Sequence, residues 1–220
     1  MYTVMIPCRN EERTIQGLVR EVHRHADVVL VADDGSTDAT AYEAERGGAV
    51  VFPVPRTRPG LAGVYRAGLR RVLGGSGANA VCEMDAGGSH DPAELPRFWR
   101  ALERGAEVAA GRRFGGSGAI YQGAWQRRIL SWGGTLLTNT LHGTAWQDAT
   151  SGFVAYTREA LERLTDAPWE CRGHYYQTEM RLRARTLGLR VVEVPITYRN
   201  SGTSLNRASI AEALQRVFAR

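Results

Sequence analysis

The chain has 220 residues, 43% of them hydrophobic and 23% charged, which suits one folded domain rather than a disordered or fibrous protein. The formal net charge is +5 and the chain contains no Lys, which excludes lysine-amine chemistry, while its many Arg residues favour bidentate recognition of phosphate. The arginines are scattered and lack an interleaved aromatic platform, which argues against binding of nucleic acid.

Cysteine usage and hydropathy indicate where the protein acts. Cys8, Cys82 and Cys171 are widely spaced and form no CxxC pair, so neither a disulfide framework nor a zinc site is indicated. The sequence opens with no signal peptide, and no run approaches the roughly 18 apolar residues of a membrane span. We therefore expect a cytoplasmic protein, with peripheral contact at the inner face of the membrane left open.

The first part of the chain alternates apolar runs with helical patterns. The predicted strands are Tyr2 to Ile6, Val28 to Ala32, Ala49 to Val54 and Ala80 to Met84. The predicted helices are Glu11 to Arg24, a short segment ending at Glu45, and a stretch from Gly60 to Leu73. Short apolar strands separated by helices are typical of an α/β fold with a mainly parallel sheet covered on both sides.

The alternation continues to the end of the chain. A helix over Pro92 to Leu102, with Asp91 as its cap, precedes a strand at Glu107 to Ala110 and a long amphipathic helix from Trp125 to Leu141. Four further elements are predicted at Phe153 to Tyr156, Arg158 to Leu164, Tyr175 to Leu187 and Arg190 to Val194. The pattern predicts one domain over residues 1–220 whose last segment, 208–220, is an amphipathic helix that packs on the core or lies at a membrane interface.

Polar loops follow the predicted strands, where ligands bind in open α/β sheets. The loop from Pro7 to Glu11 lacks the G-x-G-x-x-G pattern, which disfavours a dinucleotide-binding dehydrogenase. The loop Asp33-Asp34-Gly35-Ser36 suits hydrogen bonding to a base or ribose, and helix capping is the alternative. The acidic loop around Asp85 has hard oxygen ligands for Mg²⁺ or Mn²⁺, and a solvated turn is the alternative.

The order of these motifs resembles glycosyltransferase family 2. They are Pro7-x-x-Asn10-Glu11, Asp33-Asp34-Gly35-Ser36-x-Asp38, Arg58-Pro59-Gly60-Leu61-x-Gly63-x-x-x-Ala67-Gly68-Leu69 and Met84-Asp85-Ala86-Gly87-Gly88-Ser89-His90. Later motifs are similar to the polyprenyl-phosphate mannosyltransferase branch: Gly111-Arg112-Arg113-Phe114, Arg127-Arg128, Asp148 to Phe153, Gln177-x-Glu179 and Val194-Pro195-Ile196. The resemblance extends from Met1 to about Gly202.

This resemblance implies a GT-A fold, a single Rossmann-like domain, and an inverting hexosyltransferase. The implied donor is GDP-mannose or a UDP-sugar, and the implied acceptor is a polyprenyl phosphate. Two alternatives stay open. One is a soluble transferase acting on a hydroxyl of a small metabolite, and the other is a catalytically silent domain that binds a nucleotide-sugar.

The resemblance also implies roles for particular residues. The nucleotide would be held by Pro7, Asn10, Glu11, Asp33, Asp34, Ser36 and Asp85. A Mg²⁺ or Mn²⁺ ion would bind Asp85 and Ser89, although this chain has Gly87 where the family usually has the second Asp of Asp-x-Asp. Glu83 cannot replace that carboxylate, because it lies on the other side of Asp85 from Gly87.

Four more residues are implied near the reacting groups. Arg113, with Arg127 or Arg128, would contact phosphates of the donor or acceptor, and a solvated helix face is the alternative for the last two. Asp148 would lie near the transferred sugar. If the acceptor is a hydroxyl, Asp148 is the expected general base. A phosphate acceptor is already anionic and needs no strong base.

Overall fold

The computed structural model of the protein describes residues 1–55, 60–75, 77–115, 117–166, 169–199 and 215. The third motif's Arg58 and Pro59 lie outside the described residues, as does the predicted terminal helix over 208–220 apart from Gln215.

Within the described residues, nine strands form two sheets. They are β1 (Tyr2–Cys8), β2 (Val28–Asp33), β3 (Val50–Pro53), β4 (Ala80–Glu83), β5 (Val108–Arg112), β6 (Ile120–Gln122), β7 (Val154–Thr157), β8 (Val191–Pro195) and β9 (Thr197–Arg199). Seven of them build one sheet in the order β3-β2-β1-β4-β7-β5-β8, and β6 pairs with β9 in a small parallel sheet. In the large sheet only β7 runs antiparallel to its neighbours, so the predicted mainly parallel sheet is confirmed.

Seven α-helices accompany the sheet within the described residues. They are α1 (Ile15–Val22), α2 (Thr40–Gly47), α3 (Leu61–Gly74), α4 (Leu95–Glu103), α5 (Trp125–His142), α6 (Arg158–Asp166) and α7 (Tyr176–Thr186). None of the helices in the described ranges is long and apolar enough to cross a membrane.

Strand alternation divides the core into two layers. In β1, Val4 and Ile6 face the layer that contains α1 and α4, whereas Met5 faces the layer that contains α3, α6 and α7. Helix α3 packs closely on the sheet at Gly68, where an added Cβ would lie 2.8 Å from the Met5 sulfur. The sheet is therefore covered on both faces, as the sequence predicts.

The strand order places a topological switch at β1. Strand β1 pairs in parallel with β2 on one side and with β4 on the other, while the chain crosses from β3 through α3 to reach β4. Ligands of open α/β sheets bind outside the carboxyl ends of the strands at such a switch. The loops after β1, β2 and β4 therefore meet at one edge.

Two predicted helices begin differently from the sequence pattern. Helix α1 begins at Ile15 rather than Glu11, and the backbone N–H groups of Glu11 and Glu12 donate to Thr40, the first residue of α2, and to Asp38 in the loop before it. The helix predicted from Pro92 begins with a 3₁₀ turn at Pro92–Glu94. Its cap is as expected, since Asp91 Oδ1 accepts from the Ala93 N–H at 3.0 Å.

Candidate active site

A cleft of about 630 Å³ opens at the carboxyl edge of β1, β2 and β4. Its walls include the loops after these three strands, one side of α5, and residues of α3 and α7. The switch point of the sheet thus coincides with a cavity of the size that small-molecule ligands occupy.

Part of the expected nucleotide set lies in this cleft. Pro7, Glu11 and Asp34 line it, together with Asp85. Asp34 is partly exposed and lies 3.8 Å from an Arg9 guanidinium nitrogen. These groups offer carboxylate acceptors beside an apolar ring, a combination that suits a nucleoside.

The other expected nucleotide residues hold two loops together. Asn10, which has a φ of 55°, accepts from the Thr37 N–H at 2.9 Å, and its own N–H donates to Ser36 Oγ at 3.0 Å. Ser36 donates its hydroxyl and its N–H to Asp33 Oδ1. Asn10, Asp33 and Ser36 therefore shape the wall of the cleft through the loops that carry Glu11 and Asp34.

Asp85 follows β4 and projects into the cleft with its side chain 37% exposed. The Tyr65 hydroxyl lies 3.2 Å from Asp85 Oδ1, and the Ser89 hydroxyl lies 3.3 Å from Oδ2. The Asp85 N–H donates to Nδ1 of His90 at 3.3 Å. Burial lowers the pKa of His90, so this ring is a neutral acceptor that fixes the backbone at Asp85.

The oxygen atoms of Asp85 and Ser89 are the candidate ligands for a divalent cation in the cleft. No cluster of three or more His, Cys, Asp and Glu side chains placed for a metal occurs in the described part of the chain. Asp85 Oδ2 and Ser89 Oγ nevertheless form an adjacent pair of hard oxygen donors at the cleft. Mg²⁺ sites of this kind use one or two protein oxygens, substrate phosphates and water, so the donor pair fits a cation that arrives with a diphosphate.

Glu83 does not contribute to that pair. Its side chain is fully buried and accepts hydrogen bonds from the hydroxyls of Tyr176 and, at 3.4 Å, Tyr156. Burial raises the pKa of Glu83 to about 8. The carboxyl belongs to the core beneath the cleft, in agreement with the expectation that it does not replace the missing ligand at Gly87.

Arg113 and Asp148 form a buried ion pair beside the cleft. Arg113 Nε donates to Asp148 Oδ2 at 2.8 Å, Nη2 donates to Oδ1 at 2.9 Å, and the Arg113 N–H also donates to Oδ2 at 3.0 Å. Burial by itself raises the pKa of Asp148, but the Arg113 guanidinium outweighs it and the pKa is lowered. Arg113 lines the cleft and Asp148 lies behind it, fully buried.

This placement does not favour the expected role of Asp148 as a base near the sugar. Both of its oxygens accept from Arg113, and Thr150 donates its N–H and hydroxyl to Oδ1 at 3.1 Å each. A carboxylate so engaged is a poor proton acceptor. Asp148 instead orients the guanidinium of Arg113.

The two neighbouring arginines of α5, Arg127 and Arg128, lie in different environments. Arg127 lines the cleft, and its guanidinium carbon lies 5.7 Å from the centre of the Tyr198 ring, over which Arg113 also lies at 5.3 Å. Arg128 is exposed and lies 5.9 Å from the Tyr121 ring. The structure therefore separates a cleft arginine, Arg127, from an outer one, Arg128.

Several residues at the cleft have no role that the sequence pattern predicts. Tyr65 has the spacing of a core residue of α3, yet its hydroxyl reaches Asp85. His90 was part of a motif but had no predicted role, and its ring stacks on Phe153 at 4.8 Å. Tyr198 belongs to β9, a strand of three residues that leaves little signal in the sequence. Gln177 was a motif residue, and it is buried in the cleft wall.

Comparisons with known proteins agree with this geometry. The family described as Glycosyl transferase family 2 matches residues 3–165, which is more than half of the chain. The chain belongs to this family. It is an α/β glycosyltransferase, and the cleft at the switch point is its candidate active site.

Two relatives of known name cover most of the chain. The polyprenol monophosphomannose synthase of Mycolicibacterium smegmatis is 36% identical over 228 aligned residues, covering 97% of this chain and 84% of that protein. The undecaprenyl-phosphate mannosyltransferase of Micrococcus luteus is 36% identical over 201, covering 88% and 82%. The chain is thus similar to the mannosyltransferase branch that its later motifs indicated.

Solved structures share the fold. Glucosyl-3-phosphoglycerate synthase from Mycobacterium tuberculosis, in complex with Mn²⁺, uridine diphosphate and glucosyl-3-phosphoglycerate, superposes with a TM-score of 0.72 at 23% identity and covers 100% of this chain and 77% of that one. A complex of the same enzyme with Mg²⁺ and uridine diphosphate gives 0.71 at 21%, covering 99% and 79%. At this identity the likeness shows the fold, and it confirms the expected GT-A arrangement.

Proposed function

We propose that this glycosyltransferase moves a hexose, with inversion, from a nucleoside diphosphate sugar to a polyprenyl phosphate. One observation carries the proposal: a single cleft presents the carboxylate of Asp85 together with the guanidinium groups of Arg113 and Arg127. The arginines suit a second phosphate in addition to the donor diphosphate. The names of the two mannosyltransferase relatives support the same acceptor and favour mannose as the sugar.

The donor would lie along the loops after β1, β2 and β4. Pro7, Glu11 and Asp34 would contact the nucleoside, and Asp85 with Ser89 would hold Mg²⁺ or Mn²⁺ against the diphosphate. The bound cation would stabilise the charge of the leaving diphosphate. GDP-mannose is our proposed donor, and a UDP-sugar is the alternative that a binding experiment separates from it.

The acceptor would place its phosphate against Arg113 and Arg127. One oxygen of that phosphate attacks the anomeric carbon, the bond from this carbon to the donor phosphate oxygen breaks, and the nucleoside diphosphate leaves. The attacking oxygen is already anionic, so the step needs no general base. This agrees with the engagement of both Asp148 oxygens by Arg113.

The roles of the remaining residues follow from their contacts. Asp148 and Thr150 would hold the Arg113 guanidinium in place, and Tyr65 and His90 would fix the carboxylate and backbone of Asp85. Because a polyprenyl phosphate resides in a bilayer, the proposal includes peripheral contact with the cytoplasmic face of a membrane.

Two adjacent arginines provide a matched test of the acceptor site. Arg127→Ala removes a guanidinium from the cleft and Arg128→Ala removes one from outside it. We expect the KM for polyprenyl phosphate to rise by about tenfold or more in the first variant and to change by less than about twofold in the second. Equal effects, or an effect on the donor alone, would contradict the proposed acceptor position.

A further inference from the structure

The hydroxyl of Tyr198 is buried at the cleft without a hydrogen-bond partner among the residues that the structure describes. Tyr198 is 2% exposed, and it lines the cleft. Several buried side-chain atoms in the described ranges lack a partner, and the Tyr198 oxygen is the one among them whose residue lines the cleft. Buried polar groups are ordinarily hydrogen-bonded, so this exception indicates a bond that forms when a ligand binds.

Strand β9 attaches Tyr198 to the loop on which the donor diphosphate is proposed to bind. The Arg199 N–H donates to the carbonyl of Ser89 at 3.0 Å, and Tyr198 itself forms a backbone bridge with His90. The rings of Tyr198 and His90 also meet edge to face, with 6.2 Å between their centres. Tyr198 is therefore held beside the loop that carries Asp85.

The same ring lies beside the two arginines of the proposed acceptor site. The guanidinium carbons of Arg113 and Arg127 are 5.3 and 5.7 Å from the centre of the Tyr198 ring. Tyr121, which pairs with Tyr198 in the small sheet, stacks on this ring at 5.3 Å. These contacts fix the ring between the donor loop and the arginines, and so they fix the position of its hydroxyl.

The Tyr198 hydroxyl is a neutral hydrogen-bond donor. Burial raises its pKa, and the positive charges of Arg127 and Arg113 offset that rise only in part. The negative charge of Asp85 acts on the same hydroxyl and raises the pKa further. A phenol that keeps its proton can donate to a phosphate oxygen, and it adds no negative charge that would repel the phosphate.

We propose that Tyr198 is a further binding residue for the acceptor, whose phosphate receives a hydrogen bond from the Tyr198 hydroxyl in addition to those from Arg113 and Arg127. This inference rests on the proposed function, which places the acceptor phosphate at these arginines. The hydroxyl holds one phosphate oxygen and transfers no proton, so another oxygen is left to attack the anomeric carbon. Because Tyr198 adjoins the loop of Asp85, its bond turns the phosphate toward the donor.

The variant Tyr198→Phe isolates the hydroxyl, because it keeps the ring and the contacts of the ring. Calorimetric titration with geranyl phosphate, a water-soluble isoprenyl phosphate, measures binding without turnover. We expect the Kd to rise by about tenfold or more, because a hydrogen bond to a charged group is lost. The free energy of unfolding should not fall, since no hydrogen bond of the described part of the chain is removed.

A matched control is Tyr121→Phe, in the neighbouring strand β6. The Tyr121 hydroxyl donates to the Ala124 carbonyl at 3.2 Å, and Tyr121 is not among the described residues that line the cleft. Its Kd for geranyl phosphate should stay within about twofold of that of the unmodified chain. In the transfer reaction, Tyr198→Phe should raise the KM for the acceptor and leave the KM for the donor unchanged.

The outcomes separate this inference from the proposed function. An equal Kd for geranyl phosphate in Tyr198→Phe and the unmodified chain would overturn the inference, as would an unmodified chain that does not bind this probe. Weaker binding of GDP or UDP by Tyr198→Phe, in the presence of Mn²⁺, would assign the hydroxyl to the donor and overturn it too. Binding of geranyl phosphate that depends on Tyr198, without any transfer of sugar to a polyprenyl phosphate, would contradict the proposed function and support the phosphate contact.

Discussion

The Arg113 guanidinium and the Asp148 carboxylate are joined by two parallel hydrogen bonds of 2.8 and 2.9 Å, and both side chains are almost completely removed from solvent. Arg113 lines the cleft, whereas Asp148 is not among the described residues that line the cleft. Such a pair fixes the direction of the guanidinium in a way that a lone arginine could not. The phosphate-binding side of the site thus depends on a residue one layer below it.

Loss of this pair should destabilise the fold as well as the site. Asp148→Ala leaves a buried guanidinium without its counter-ion, and we expect the free energy of unfolding to fall by about 3–5 kcal/mol. Equilibrium unfolding in urea measures this free energy. The control is Glu21→Ala, which removes an exposed partner of Arg24 and should cost less than about 1 kcal/mol. A small loss in Asp148→Ala, equal to that in the control, would contradict the structural role of the pair.

Metal binding should depend on Asp85 and improve when the second carboxylate is restored. In calorimetric titration with GDP, Asp85→Asn should abolish any gain in affinity from Mn²⁺, because it removes the charged donor beside Ser89. Gly87→Asp should increase that gain by about tenfold, since a second carboxylate reaches the cation. Asp166→Asn, the same change at the end of α6, should leave it unaltered. A gain that persists in Asp85→Asn would place the cation elsewhere.

The Tyr65 hydroxyl should matter because it holds one oxygen of Asp85. Tyr65→Phe keeps the ring, which stacks on Tyr176 at 4.7 Å, and removes the 3.2 Å hydrogen bond. We expect kcat/KM to fall by about tenfold, equivalent to about 1.4 kcal/mol, with little change in the KM for the acceptor. Tyr2→Phe removes a hydroxyl bonded to Glu103 at the surface and serves as the control. Unchanged kinetics in Tyr65→Phe would show that Asp85 needs no such support.

Glu83 should make stability fall as pH rises. Its folded pKa is about 8 because of burial, against 4.5 for a free side chain, so between these values the folded protein keeps a proton that the unfolded chain has released. Each pH unit in that window costs up to about 1.4 kcal/mol of unfolding free energy. Glu83→Gln keeps an acceptor for Tyr176 and removes this dependence.

Unfolding between about pH 5 and pH 7 checks the Glu83 prediction. The variant should gain stability relative to the unmodified chain as pH rises. The matched change Glu159→Gln, at an exposed position of α6, should not. A constant difference across this range would mean that Glu83 is ionised in the folded protein.

Most of the fold could be predicted because the strands of the large sheet are short and almost entirely apolar. The antiparallel insertion of β7 between β4 and β5 could not, because strand direction depends on the path of the chain and not on local pattern. Strands β6 and β9 are too short to show alternation, yet β9 brings Tyr198 to the cleft.

The candidate site was predicted by position better than by role. Motif order identified the loops that meet at the switch point, and Pro7, Glu11, Asp34 and Asp85 line the cleft. The sequence alone does not tell which of two adjacent residues of the same type lines the cleft, because the fold sets the directions of their side chains. Asp33 accepts hydrogen bonds from Ser36 within its loop, whereas the next residue, Asp34, lines the cleft. In α5, Arg127 lines the cleft, whereas Arg128 lies beside the Tyr121 ring.

Transfer of sugar to a lipid acceptor is the most direct test of the central proposal. The purified protein would be incubated with Mn²⁺, GDP-mannose or a UDP-sugar, and either a polyprenyl monophosphate or a water-soluble hydroxyl acceptor, and the products identified by mass spectrometry. We expect a polyprenyl phosphohexose with the inverted anomeric configuration, formed from one of these donors. Glycosylation of the soluble acceptor with no lipid product would contradict it.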